Sequence, residues 1–137
     1  METFLFRIIL AGFIGFIIGK RSDTFHTAIV FAIACMGTAL LTITSTEFYK
    51  LSTFPWMGDP GRLSAQVISA LGFIGSGMIW ITRDKKIVGL PVAANLWITA
   101  ILGMLIGAGL ENATVMAAFF VIIIYYLSDL VIRWKKK

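Results

Sequence analysis

The sequence predicts an all-α membrane protein, a polytopic bundle of about five transmembrane helices. Three observations predict it: long apolar runs, charges gathered at the ends of those runs, and too little polar surface for a water-soluble globule. Of 137 residues, 58% are hydrophobic and 14% charged, whereas a soluble domain carries roughly 25% charged and 45–50% apolar residues. An uncharged apolar run of about 18 residues reads as a membrane span. Such runs fill most of the chain, so residues 1–137 form a single transmembrane domain with no soluble domain of useful size.

The first span is expected over Thr3–Gly19, with Arg7 near its end and able to snorkel to the interface. Met1-Glu2-Thr3 lacks a basic leader, and the run ends in Gly19-Lys20-Arg21 without a small-residue cleavage pattern. It therefore reads as a true span and not a cleavable signal. The second span covers Phe25–Ser45. A polar, aromatic-rich stretch, Thr46–Leu63, follows with Phe48, Tyr49, Phe54 and Trp56; it fits an interfacial position, a re-entrant dip being the other reading. The third span covers Ser64–Ile81, the fourth Val88–Gly109 and the fifth Ala113–Ile132, the last two joined around Glu111-Asn112 as a tight helical hairpin.

Basic residues set the expected topology. With the N-terminus outside and the C-terminus inside, Lys20, Arg21, Arg83, Lys85, Lys86, Arg133, Lys135, Lys136 and Lys137 face the cytoplasm, and only Arg7, Lys50 and Arg62 lie outside. That is the positive-inside bias of a plasma-membrane protein. It also accounts for the formal charge of +5. The basic residues touch lipid headgroups, and no basic face with interleaved aromatics points to nucleic acid. Trp56, Trp80, Trp97 and Trp134 fall mostly near span ends, and Trp134 with the three lysines after it reads as an interfacial anchor.

Small residues recur at helical spacing: Ala11, Gly15 and Gly19 in the first span, Ser69, Gly72 and Ser76 in the third, Gly103 and Gly107 in the fourth. Such faces let membrane helices approach closely. Each serves either packing inside one protomer or an oligomer interface. Together they exceed what a five-helix monomer needs, so a homo-oligomer, a dimer in the simplest case, is expected.

Chemistry-bearing residues are sparse. Glu2, Asp23, Glu47, Asp59, Asp84, Glu111 and Asp129 all fall away from span centres. Proton relays and ion-coupled pumps usually carry an ionisable group at membrane depth, and magnesium sites need oxygen ligands, commonly carboxylates. A lone protomer thus makes a poor cation pump, and neither a metal site nor a cofactor is expected. Besides other small Ser and Thr residues, Thr38, Thr42, Gln66, Asn95 and Thr99 are the polar candidates within spans, and bonds across helices are their bland role. His26, the lone histidine, opens the second span as an interfacial residue, pH sensing being the sharper alternative. Cys35 lies in an apolar run and offers neither a disulfide nor a metal-spaced pair. Asp129 can pair with Arg133, four residues on. No nucleophile–base–acid set exists, and Gly72, Gly75 and Gly77 lie in an apolar helix, not a phosphate loop, so an enzyme is not expected.

The most specific local pattern is Asp59-Pro60-Gly61-Arg62-Leu63-Ser64-Ala65-Gln66. Read as structure, Asp59 caps the third span and Pro60 is its first helical residue. Read as function, Asp59 and Arg62 form a polar cluster at the outer mouth of the bundle.

Extended through Val67-Ile68-Ser69-Ala70-Leu71-Gly72-Phe73-Ile74-Gly75-Ser76-Gly77, this pattern resembles the signature of the MgtC/SapB family of bacterial membrane proteins, roughly D-P-x-R-x-A-A-Q-V-V-x-G-I-G-F-L-G-A-G. Gly89-Leu90-Pro91-Val92-Ala93-Ala94-Asn95-Leu96-Trp97 resembles the family's second motif, with Pro91 in place of a Thr. Lys20 stands where the family often has Glu, His26 where it has Arg, and the linker between them is shorter. Larger members carry a C-terminal soluble domain, and this chain reads as a short form without it. The resemblance implies a small inner-membrane protein tied to low-magnesium growth and virulence, acting as a regulator or complex partner of other membrane proteins. It also implies that Asp59, Arg62, Gln66 and Asn95 match any shared polar site. Two rivals stand beside that expectation: a cation transporter or channel built by an oligomer, and a membrane anchor for a soluble partner using Arg83–Lys86 and the C-terminal tail.

Overall fold

The computed structural model describes residues 2–22, 24–51, 59 and 61–135. Among these residues five helices and one short hairpin follow in order: α1 Glu2–Ser22, α2 Phe25–Leu51, α3 Gly61–Gly77, β1 Trp80–Ile81, β2 Ile87–Val88, α4 Leu90–Ala108 and α5 Glu111–Lys135. Asp23, Trp56, Pro60 and the 52–58 part of the aromatic linker lie outside the described residues, as do the side chains of Asp129, Arg133 and Trp134. The helices α1, α2 and α4 are long and apolar enough to cross a membrane; α3 is shorter, and α5 is apolar over Glu111–Ile124.

Local chemistry explains the element ends. Thr24 opens α2: its hydroxyl accepts from the Thr27 amide at 3.3 Å, and its carbonyl accepts from the Ala28 amide at 3.1 Å. That satisfies backbone donors the first helical turn otherwise leaves orphaned. α2 runs past the expected end at Ser45, because Thr44 and Thr46 fold their hydroxyls back onto the Leu40 and Thr42 carbonyls instead of breaking the helix. Its 27 residues span about 40 Å, longer than the ~30 Å hydrocarbon core. Lys50 and Glu47, paired at 2.8 Å, mark its polar last turn.

The third expected span does not continue to Ile81. α3 ends at Gly77, and Trp80–Ile81 pairs antiparallel with Ile87–Val88. Aromatic and β-branched pairs flanking a polar turn favour a hairpin over further helix. The Lys85 amide donates to the Thr82 carbonyl, and the Thr82 amide donates to the Lys86 carbonyl, both at 2.9 Å. Lys85 itself takes a left-handed conformation, φ 59°, the usual ending of a three-residue hairpin loop. Gly89 then starts α4 with φ 85°, and a Cβ there would collide with the Met78 carbonyl oxygen. Only glycine meets both demands. At the other end of α4, Gly109 has φ 74°, with bonds from Gly109 and Leu110 to the Ile106 and Leu105 carbonyls. This left-handed cap turns the chain at once into α5, so the expected α4–α5 hairpin is present.

The core sits where α1, α2 and α4 meet. α1 runs antiparallel to α2, with Gly12 beside Met36, Gly15 beside Phe31 and Cys35, and Gly19 beside Ala28. α4 runs parallel to α2, with Gly103 at Cys35 and Thr38, and Gly107 at Ala39. Phe31, Leu96 and Leu102 fill the centre, and Ala11, Cys35, Ala39 and Ile106 fill the region nearer the α4 C-terminus. α3 lies antiparallel to α4 on another side, through Val67 and Leu71 against Ala100, and Gly75 near Ala93. α5 rests on α4 through Ala117 and Val121.

Candidate functional site

Asp59 does the work of a cap. Its Oδ1 accepts the Gly61 amide at 2.8 Å, and its carbonyl accepts the Arg62 amide at 3.2 Å. Both bonds quiet orphan donors at the start of α3. Asp59, Arg62 and Gln66 are all exposed, and they occupy the first turns of α3 at one end of the bundle.

Asn95 does not join them. It sits near the start of α4, half-buried, and its Nδ2 donates to the Ser22 hydroxyl at 3.1 Å, tying α1 to α4 at the end that carries Lys20 and Arg21. Val67 and Leu71 pack at the level of Ala100 and Met104. At 1.5 Å of rise per residue, Asn95 is roughly 10 Å along the bundle from Gln66 and about 20 Å from Asp59. The four matching polar positions are therefore two groups, one at each end. Sequence order hides this, because α3 and α4 run side by side away from the hairpin: Asn95 stands close to the hairpin, whereas Asp59, Arg62 and Gln66 belong to the far end of α3.

The small-residue faces also divide. Ala11, Gly15 and Gly19 are buried under α2: a Cβ on Gly15 would lie 2.6 Å from the Phe31 carbonyl oxygen, and one on Gly19 would lie 2.6 Å from Ala28 Cα. Gly103 and Gly107 face α2 even more closely, against Thr38, Cys35 and Ala39. The α1 stripe, expected as a surface for a second copy, is thus occupied by this chain's own α2. The α3 face differs. Ser69, Gly72 and Ser76 are exposed, and among the described residues no atom beyond α3's own backbone and Gly72's chain neighbours lies within 4 Å of a Cβ placed on Gly72. Ser76 donates to its own helix at the Phe73 carbonyl, 2.7 Å away.

Span hydroxyls serve the core. Thr38 donates to Cys35 on its own helix and to Ala100 across to α4, both at 3.0 Å. Thr42 and Thr99 bond within their own helices. Among the described residues, no three His, Cys, Asp or Glu side chains converge on a point that could hold a metal ion. Glu47, Asp59, Asp84 and Glu111 lie at helix ends or in the hairpin loop, and His26 is exposed at the start of α2.

Sequence reasoning missed two features. One is the exposed hairpin, with Arg83, Asp84 and Lys85 at its tip; alternating aromatic and β-branched pairs around a polar turn were the available signal. The other is Arg7, whose Nη1 donates to the Gly107 carbonyl at 3.4 Å and whose guanidinium lies against Gly109. A cation there faces the negative end of the α4 dipole. No local pattern links residues a hundred positions apart.

The profile of the MgtC family matches residues 8–134. An uncharacterized Haemophilus influenzae protein is 35% identical over 134 residues, covering 93% of this chain and 56% of its own. The Escherichia coli "Putative magnesium transporter YhiD" is 46% identical over 77 residues, 55% of this chain and 35% of its own. Protein SapB of Bacillus subtilis is 34% identical over 126 residues, 87% of this chain and 53% of its own. The chain thus spans about half the length, or less, of these relatives. No solved structure matches it significantly. Two signature motifs on α3 and at the start of α4, a family profile over nearly the whole chain and apolar helices of spanning length agree: the chain belongs to the MgtC/SapB family of membrane proteins.

Proposed function

We propose that the chain is a five-span inner-membrane protein, N-terminus out and C-terminus in, that works in magnesium homeostasis by binding and regulating another membrane protein. One observation carries the reading. The helix that holds the family signature buries only Val67, Leu71 and Gly75, so most of the signature faces away from the chain's own core. Residues that do not pack inside the protomer are free to pack on something else, and a Ser69/Gly72/Ser76 face admits another helix closely. The magnesium link comes from a relative named for it, the Escherichia coli "Putative magnesium transporter YhiD". Lys20, Arg21 and the Arg83–Lys86 tip, gathered at one end of the bundle, support the proposed orientation.

The name of YhiD favours a second reading, a transporter. An oligomer could then bring Asp59 side chains of several protomers around one path. The span hydroxyls Thr38, Thr42 and Thr99 already donate to helix carbonyls, which suits packing better than cation passage. Native mass spectrometry of the protein, extracted from its own membrane into nanodiscs, separates the two. A second membrane protein held by the parent chain and lost with Gly72→Leu supports regulation. A homo-oligomer without a partner, together with magnesium flux in liposomes, would replace this reading with transport.

A further inference from the structure

Two cavities, about 570 and 430 Å³, lie between α1, α4 and α5. The larger is at the Gly109 end and is lined by Arg7, Leu10, Ile106, Glu111, Thr114 and Val115. The smaller continues toward the Arg21 end along Ile14, Ile18, Leu102, Ala118, Val121 and Ile122. On each helix the lining residues of the second cavity follow those of the first at three- or four-residue spacing, so the two are one groove with α4 as its floor. Its middle is apolar, Arg21 lines the far end of the smaller cavity, and the mouth of the larger one carries charges of both signs. Arg7 spends one donor on the Gly107 carbonyl at 3.4 Å and keeps the other guanidinium N–H groups. Glu111 lines the same mouth, and among the described residues neither Arg7 nor Glu111 has an ion-pair partner.

We infer that this groove holds one phospholipid with a primary-amine headgroup. Arg7 takes the phosphate, since a guanidinium matches phosphate oxygens with paired hydrogen bonds. Glu111 accepts from the ammonium. One acyl chain follows Leu10 and Ile106 into the smaller cavity. A headgroup that carries the phosphate charge but no ammonium would leave the Glu111 carboxylate without a cationic partner beside a net negative lipid, and is disfavoured. Two turns of a transmembrane helix, about 10–12 Å across and 11 Å long, would need roughly twice the volume of the larger cavity, so a lipid chain suits the groove better than a partner helix. The inference depends on membrane residence but not on the regulatory partner, which is assigned to the opposite α3 face.

The test is lipid titration of delipidated, detergent-purified protein, read by native mass spectrometry, with phosphatidylethanolamine against phosphatidylglycerol of the same acyl chains. The parent protein is expected to prefer phosphatidylethanolamine by about ten-fold, the scale of one charge-assisted hydrogen bond. Arg7→Gln weakens both lipids by a similar factor. Glu111→Lys, an exposed change at the first residue of α5 that leaves the core untouched, reverses the preference. Ala118→Phe fills the smaller cavity and lowers binding of both lipids without changing their ranking. Equal binding of the two lipids by the parent protein, or an unchanged ranking in Glu111→Lys with helical content intact, overturns the inference. So does a second copy of the chain found seated in the groove.

Discussion

Two small-residue faces of this molecule look alike in sequence and differ completely in space. One, on α1 and α4, is pressed against α2: beneath Gly15, Gly19, Gly103 and Gly107 lie backbone atoms of Phe31, Ala28, Cys35 and Ala39. The other, on α3, has open space around Gly72. Small residues permit close approach but do not select the partner. The first face therefore answers for the stability of the protomer. The second is left for whatever the protomer meets in the membrane.

Breaking the covered face should give the largest effect. Gly103→Leu drives its side chain into Thr38 Oγ1 and the Cys35 carbonyl, and Gly107→Leu drives into Ala39. The obstacle is backbone, which cannot swing aside, so the loss should reach or pass the upper end of the about 1–3 kcal/mol typical of overpacking. Thermal unfolding in detergent, followed by circular dichroism, would show both variants melting well below the parent.

A pair on α1 sharpens the same point. Gly15→Ala meets the Phe31 carbonyl oxygen at 2.6 Å and Cys35 Cβ at 2.8 Å, whereas Gly12→Ala meets the Met36 sulfur at 2.7 Å, on a flexible side chain that is 37% exposed. Gly15→Ala should be destabilising by about 1–2 kcal/mol. Gly12→Ala should be nearly neutral, because Met36 can turn away. Equal melting shifts in the two would mean that α1 adjusts as a rigid body and that a backbone obstacle costs no more than a flexible side chain.

Thr38→Val tests the polar side of the covered face. It keeps the shape and removes the bond to the Ala100 carbonyl. Interhelical bonds of this kind average about 0.6 kcal/mol and reach about 1.7, so a small but measurable fall in unfolding midpoint is expected.

The open face should give the smallest effect on the isolated protein. Gly72→Leu meets nothing and should leave the midpoint within about 0.5 kcal/mol of the parent. Its effect should appear only as loss of a co-extracted partner. A large drop in the melting midpoint of purified Gly72→Leu would show that α3 packs against the protomer more fully than its exposed Ser69 and Ser76 indicate, and the contrast between the two faces would fail.

The sequence by itself determined the class of the molecule. Apolar runs longer than a bilayer needs can only be satisfied as helices, because every backbone N–H and C=O must find a partner without water. Asp59 as a cap was also legible, since a carboxylate two residues before a helical amide is a local matter, and the motifs around Asp59 and Gly89 carried the family. Tertiary structure alone decided which glycines are covered, why Asp59 and Asn95 end up at opposite ends, and how Arg7 comes to rest on the end of α4. The reason is physical. Local patterns report what a helix can do with its own neighbours in sequence, but helix packing in a membrane lacks a strong apolar drive to choose one face over another. That choice is made by shape complementarity between segments as far apart as Arg7 and Gly107, and only the folded bundle records it.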